Sequence, residues 1–314
     1  MGNAIYSSLI GLLVGLLLVS CQRRPANLPE LDPNIPTRVV EHAMGASQVP
    51  MAPERIVVID TTPLDAALAL GIQPVGTIRY GSSPGYLGDV VHEIDVVGQY
   101  NQPILERILL LSPDLFLVAK SVSECLYPKL SRIAPAVFIE GAGYSWDWKN
   151  NFRLFAEAMG KSEQAEQLLT NYQQQLENLR NSIEPPPKTI IVSVLIATKG
   201  ELVAHTSTSF SGSILEEIGF TRNSTQDTDE QFFVRLSRED LEGPDGDLIF
   251  LIHNPEWKSV SKADFVTDRL WSQLKAVRQN TICEVTGDVW ASGRSILAAH
   301  QVLENIRTCL DNLE

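Results

Sequence analysis

A single helical pattern runs from Trp148 to Ile183, and it constrains the fold more than any other feature, because an alternation of strands and helices stops before it and restarts after it. Ala165, Leu168, Leu169, Tyr172, Leu176, Leu179 and Ile183 recur at three- and four-residue intervals, with one adjacent pair, which gathers them on one helix face. Ser162 after Gly160 is a suitable N-cap, and Pro185-Pro186-Pro187 ends the run. The spacing therefore predicts a helix of about 22 residues, ~33 Å long, enough to cross a small domain.

Upstream, strands are expected at Arg55–Asp60, Pro74–Arg79, Asp114–Ala119 and Ala136–Glu140, with helices at Leu64–Leu70, Ile104–Leu111 and through Leu130–Ile133. Downstream, strands are expected at Thr189–Ile196, Asp247–His253 and Thr281–Val285, with helices at Ser213–Ile218, Ser237–Leu241, Leu270–Val277 and Ser295–Leu310. Such alternation is the pattern of an α/β fold built on mainly parallel sheets. The halves share a signature: Glu106 precedes Asp114 by eight residues, and Glu239 precedes Asp247 by eight. Each glutamate is thereby expected in the first turn of a short helix leading into an equivalent strand. Two βα lobes joined by one long helix is the reading: a first lobe over 39–147, a linker over 148–184 and a second lobe over 185–314.

Charge and hydropathy then exclude several classes. With 25 Lys and Arg against 38 Asp and Glu the net charge is −13, and a surface that acidic repels phosphate backbones, so nucleic acid is not an expected partner. The long apolar run, Leu9–Val19, has eleven residues, whereas a membrane-spanning helix needs roughly 20. That length suits the core of a secretory signal, and Leu18-Val19-Ser20-Cys21 resembles a bacterial lipobox. Residues 1–20 are expected to be removed, leaving Cys21 diacylated; two acyl chains anchor a protein stably without spanning the bilayer. The segment before the run lacks Lys and Arg while Arg23 and Arg24 follow it, which opposes the usual orientation; an upstream start would supply the missing charge. Residues 21–38, rich in proline, read as a flexible tether. Cys125, Cys283 and Cys309 form no CxxC and no zinc-finger spacing; they read as small buried thiols, with a Cys283–Cys309 disulfide as the alternative in an exported chain.

The ordered segments His42-Ala43-Met44-Gly45, Pro53 through Val58, Ala69 through Gly76, Leu105 through Ile108, Ser112 through Leu115 and Leu130 through Pro135 resemble those of periplasmic substrate-binding proteins of iron–siderophore ABC importers. So do Phe155 through Gly160, Ile214 through Gly219, and Trp290 with Gly293 before Ile296 through Ala299. The resemblance spans roughly residues 39–310. It implies a rigid linking helix, a ligand cleft between the lobes, a ferric siderophore as transported ligand, no cofactor, and a monomer serving an ABC permease dimer with its ATPase subunits. Cobalamin or haem, bound by other members of the group, is the alternative ligand. Glu106 and Glu239 match the positions at which such proteins carry one glutamate per lobe to meet permease arginines.

A cleft for anionic or oxygen-rich chelates should offer cations and aromatic faces. Arg79, Tyr80, Tyr100 and Lys120 stand at strand or loop ends of the first half, and Phe232, Arg235, Trp290 and Arg294 in loops of the second; these eight are the expected ligand-binding residues. Trp146 and Trp148 are expected in the core. The five histidines show no metal-ligand spacing, and phenolate ligation of iron by first-half tyrosines is a minor alternative, since no tyrosine follows the linking helix. Gly81-Ser82-Ser83-Pro84-Gly85 satisfies G-x-S-x-G, and Asp247 or Asp288 with His253 or His300 would complete a hydrolase triad on Ser83. The lack of a strong helix after Gly85 and of a glycine-rich oxyanion loop before it argues against that reading, so no enzymatic activity is expected.

Overall fold

The computed structural model describes residues 35–79, 84–100, 102–120, 124–141, 147–237 and 239–313. It opens with a hairpin of β1 (Thr37–His42) and β2 (Gly45–Pro50). A first sheet follows from β3 (Ile56–Ile59), β4 (Gly76–Arg79), β5 (Asp95–Gln99), β6 (Gln102–Pro103), β7 (Leu115–Ala119) and β8 (Ala136–Ile139). Its order is β6-β5-β4-β3-β7-β8, parallel throughout except for β6 against β5. A second sheet contains β9 (Ile191–Ala197), β10 (Leu202–His205), β11 (Thr221–Arg222), β12 (Phe233–Leu236), β13 (Leu248–His253) and β14 (Ile282–Thr286). Its order is β12-β10-β9-β13-β14, with β11 also on β9.

The parallel triplets β3-β7-β8 and β9-β13-β14 correspond, and the matched aspartates show why. Asp114 accepts the N–H groups of Glu54 (2.8 Å) and Arg55 (3.0 Å), and its own N–H donates to the Arg55 carbonyl at 3.0 Å. Asp247 accepts the Ile191 N–H at 2.7 Å and returns its own to the Ile191 carbonyl at 2.7 Å. Each carboxylate pins the strand that follows it to the neighbouring parallel strand. Beyond the triplets the sheets diverge: the first continues with parallel β4 and β5, the second with antiparallel β10 and β12.

Strands buried on both faces read as continuous apolar runs, and here successive residues feed different cores. Ile56, Val58, Leu115 and Leu117 point into a central layer that also takes Val192, Val194, Leu248 and Phe250 from the second sheet. Val57, Ile59, Phe116 and Val118 fill an outer cluster of the first half; Leu195, Ile249 and Leu251 fill one of the second. The helices of the central layer are α1 (Thr61–Ala69), the linker pair below, α6 (Phe210–Ile218) and the last helix. Of the short helices, α2 (Leu105–Leu110) and α3 (Tyr127–Leu130) lie in the first half, and α7 (Lys262–Thr267), α8 (Lys275–Gln279) and α9 (Gly287–Trp290) in the second.

The linker is two helices, α4 (Trp148–Met159) and α5 (Ser162–Ser182). They part at Gly160, which adopts φ 71° as the C-cap of α4, where a Cβ would lie 2.8 Å from the Arg38 guanidinium and the Met51 carbonyl oxygen. Ala165, Leu169, Tyr172, Leu176 and Leu179 are buried as their spacing predicts. Ser162 is the first helical residue rather than the cap; Lys161 occupies the cap and supplies no side-chain bond.

Two further expectations are corrected. Ser237–Leu241 is not a helix: the Ser237 hydroxyl accepts the Glu239 N–H (3.3 Å) and Asp240 accepts those of Glu242 and Gly243 (3.0 and 2.9 Å). Serine and aspartate side chains here capture donors that a helix would have used, and a turn results. Cys283 and Cys309 form a disulfide, because β14 and the C-terminal helix bring their Cα atoms to 5.8 Å; Cys125 is free and exposed. Closing a 26-residue separation restricts the unfolded chain by roughly 3.5 kcal/mol in the loop-entropy account. Cys283→Ser is expected to lower the urea midpoint accordingly, while reductant leaves the variant's midpoint unchanged; an unchanged midpoint in the variant would show that the bond contributes nothing.

Candidate functional site

The carboxyl ends of the parallel strands carry a buried polar seam between the halves. Asp60, directly after β3, caps α1 by accepting the Thr62 N–H, and its Oδ1 also accepts from Arg294 Nη2 at 2.9 Å. Thr61 donates its hydroxyl to the Ser292 carbonyl at 2.6 Å. Asp65 on α1 accepts the Leu297 and Ala298 N–H groups (3.0 and 2.9 Å), so a first-half carboxylate sits on the N-terminal turn of α10 (Ile296–Asp311), the last helix. Tyr86 donates to the same carboxylate at 3.1 Å, and the Gly85 N–H donates to Asp288 at 2.9 Å. Burial pushes the Asp65 carboxyl up to about 7 against the pull of these hydrogen bonds, and burial followed by the Asp65 charge raises Tyr86 well above its ordinary value. Asp60 and Arg294 both hold positive φ, 139° and 56°, backbone states that non-glycine residues keep only where surrounding contacts impose them.

Beside this seam the second sheet lines a cavity of about 280 Å³. Its wall exists because β10 and β12 extend the sheet: the register pairs Val203 with Arg235 and His205 with Phe233, which puts all four side chains on one face. Trp257, after β13, adds an aromatic edge, and Trp290, after β14, forms the buried floor, tilted against Phe250 with ring centroids 4.6 Å apart and held by Asn305 at 3.1 Å. Arg235 forms an ion pair with Glu201 at the cavity rim. His205 is buried and bonded through Nδ1 to Ser211 at 3.0 Å; burial, aided by the Arg222 charge, pushes its imidazole down to about 4, so it is neutral at physiological pH. Arg222 lies behind it, hydrogen-bonded to the His205 carbonyl and Gln226, and burial lowers it to about 10. A second cavity, about 80 Å³, lies across the ends of β3 and β4 and is bordered by Asp60, Arg79 and His92.

Of the eight expected ligand residues, Phe232, Arg235 and Trp290 meet at the larger cavity and Arg79 borders the smaller one. Arg79 is exposed and makes no ion pair among the described residues. Tyr100 is half-buried between the central layer and the outer cluster of the first half, and Lys120 pairs with Glu140 at 3.1 Å. Arg294 is buried: its side chain is 2% exposed and pairs with Asp60, which ties the halves together beside Ser292 at the cavity edge. Tyr80 and Trp146 lie outside the described residues, and Trp148 is buried as expected. Glu106 is exposed in the first turn of α2; Glu239 is exposed in the Ser237–Asp240 turn, not on a helix. Glu201, His205 and Trp257 escaped the sequence reading, since the short strands that aim the first two carry no long apolar run.

Ser83 lies outside the described residues, but its setting is described. A 3₁₀ turn, Gly85–Leu87, follows the motif where a nucleophile elbow requires a helix. Asp247 is engaged by Ile191 and Lys275, His253 by Ser259 and Val260, and His300 by Gln175; among the described residues none of these histidines bonds Asp247 or Asp288. No group of three His, Cys, Asp or Glu side chains suited to a metal occurs among the described residues, and no helix there is long and apolar enough to cross a membrane.

Comparison with known proteins agrees with this architecture. The family profile described as "Periplasmic binding protein" matches residues 56–289. A probable siderophore-binding lipoprotein of Bacillus subtilis is 31% identical over 95% of both chains. The achromobactin-binding periplasmic protein of Dickeya dadantii is 29% identical over 81% of this chain and 85% of its own. Among solved structures, Staphylococcus aureus SirA complexed with staphyloferrin B superposes with a TM-score of 0.76 at 24% identity, covering 88% of this chain and 99% of that one. Two parallel-rich sheets, a helical link and a cavity at the strand ends thus coincide with a profile spanning most of the chain, and the protein belongs to the periplasmic binding protein family.

Proposed function

We propose that the protein captures a ferric siderophore in the cleft between its lobes and delivers it to an ABC permease dimer driven by ATPase subunits. The observation that carries this is likeness along nearly the whole chain to a relative named as a siderophore-binding lipoprotein. A relative named for achromobactin points the same way. The lobes are 39–147 and 185–314, the linker 148–184, and the ligand residues Arg79, Tyr80, Tyr100, Lys120, Phe232, Arg235, Trp290 and Arg294. Glu106 and Glu239 serve the permease, one from each lobe. Acylated Cys21 holds the protein at the extracytoplasmic membrane face, and the disulfide fits the oxidising side of that membrane. No chemistry on the ligand is needed.

Tryptophan fluorescence titration with ferric siderophores, ferric citrate, haem and cobalamin tests this. Trp257 and Trp290 border the cavity, so quenching by at least one ferric chelate at submicromolar concentration is expected. Binding of haem or cobalamin with every iron chelate silent would overturn the reading.

A further inference from the structure

The two sides of the cleft differ in charge. On the first sheet, Arg79 ends β4 exposed, and it has no ionic partner among the described residues. On the second, the charged groups bordering the larger cavity are Arg235 and Glu201, paired to each other. His205 adds no charge there, because burial and the cation of Arg222 behind it keep the imidazole neutral. The rest of the wall is mainly apolar, with Ile196 and Val203 from the sheet, Phe232 and Phe233 at its edge and Trp257 opposite, and its other polar side chains, Ser209 and Ser292, are uncharged. Phe232 and Phe233 are 38% and 42% exposed, large apolar surface that a bound group would cover. A carboxylate entering this cavity would lose hydration and meet Arg235 already neutralised, with Glu201 repelling it at close range. An alkyl or amide arm would bury apolar surface at no such cost.

We propose that the cavity on the second sheet takes an uncharged arm of the ferric chelate while the chelate's anionic side faces Arg79, and that Glu201 determines this specificity by cancelling Arg235. This rests on the reading of the chain as a binder of ferric chelates. A ligand whose arms carry free carboxylates is therefore selected against, although such ligands also carry iron. Glu201 is a specificity residue here, and its pair with Arg235, being largely exposed, contributes little to stability.

Ferric arthrobactin and ferric aerobactin test the proposal, since the two chelates differ by a carboxylate on each arm. The whole chain is expected to bind the arthrobactin complex at least tenfold more tightly. Glu201→Gln is expected to reduce that ratio to threefold or less by tightening the aerobactin complex, and Phe233→Ala to weaken the arthrobactin complex about tenfold with an unchanged urea midpoint. Equal affinity in the unaltered chain, preference for aerobactin, or no response of the ratio to Glu201→Gln would overturn it. Binding of ferric citrate with neither of these complexes would also overturn it while leaving the proposed function standing. Silence towards every ferric chelate would instead remove the function and this inference together.

Discussion

Replacing Arg294 by methionine is expected to cost roughly 3–5 kcal/mol of folding stability, the range for breaking a buried ion pair from one side. Asp60 is fully buried, its Oδ2 has no partner among the described residues, and Arg294 is its one cationic contact there. Without the guanidinium the carboxylate remains in a backbone state, φ 139°, that already opposes folding. The double variant Asp60→Asn with Arg294→Met should recover most of the loss, because an amide still accepts the Thr62 N–H while no buried charge is left. Urea unfolding of the single and double variants measures both effects. A loss below about 1 kcal/mol in Arg294→Met would show that the seam is solvated rather than buried.

Charge reversal at Glu106 and Glu239 together is expected to abolish uptake of radiolabelled ferric siderophore by whole cells while changing ligand affinity less than twofold. Like charges brought together at an interface cost several kcal/mol, and the double variant incurs that cost at two places. A favourable charge–dipole contact, worth roughly 0.3–1 kcal/mol, accounts for an acidic residue in the first turn of α2 without any partner. That account is closed to Glu239, which stands on a turn. Around Glu106, Leu109 and Leu110 are 55% and 83% exposed, so the carboxylate sits in an apolar setting suited to contact with another protein. Weakened ligand binding in the double variant would mean that the glutamates support the cleft; normal uptake would remove the docking role.

The sequence made the repeated part of the fold legible because both chemistry and period repeat. Four of four residues in β3 are apolar and buried, and the Glu–Asp spacing marked the strands that Asp114 and Asp247 pin. What escaped it was the asymmetric part: β10 and β12 have four residues each and are stabilised by cross-strand neighbours about thirty residues apart in the chain. Those strands build the cavity wall, so Glu201 and His205 were illegible for the same reason. The Asp60 partner of Arg294 was not legible, because a cation in a loop after a strand looks the same whichever group it meets, here a buried aspartate 234 residues away. The disulfide was undecided because proximity of β14 and α10 is a tertiary fact.

The inner layer shared by the two sheets governs how the molecule comes apart. Val58 and Leu117 of one half and Val194 and Phe250 of the other belong to a single packed cluster, with Trp148, Phe155, Leu176 and Val302 between them. Neither half can open alone without stripping apolar surface from its counterpart, so amide protons of these inner strands are expected to exchange through global unfolding. Sub-global opening is left to the outer clusters, each of which belongs to one half. The halves repeat a pattern in sequence, yet they share one core, and either segment taken alone would leave the inner faces of its strands uncovered by the other.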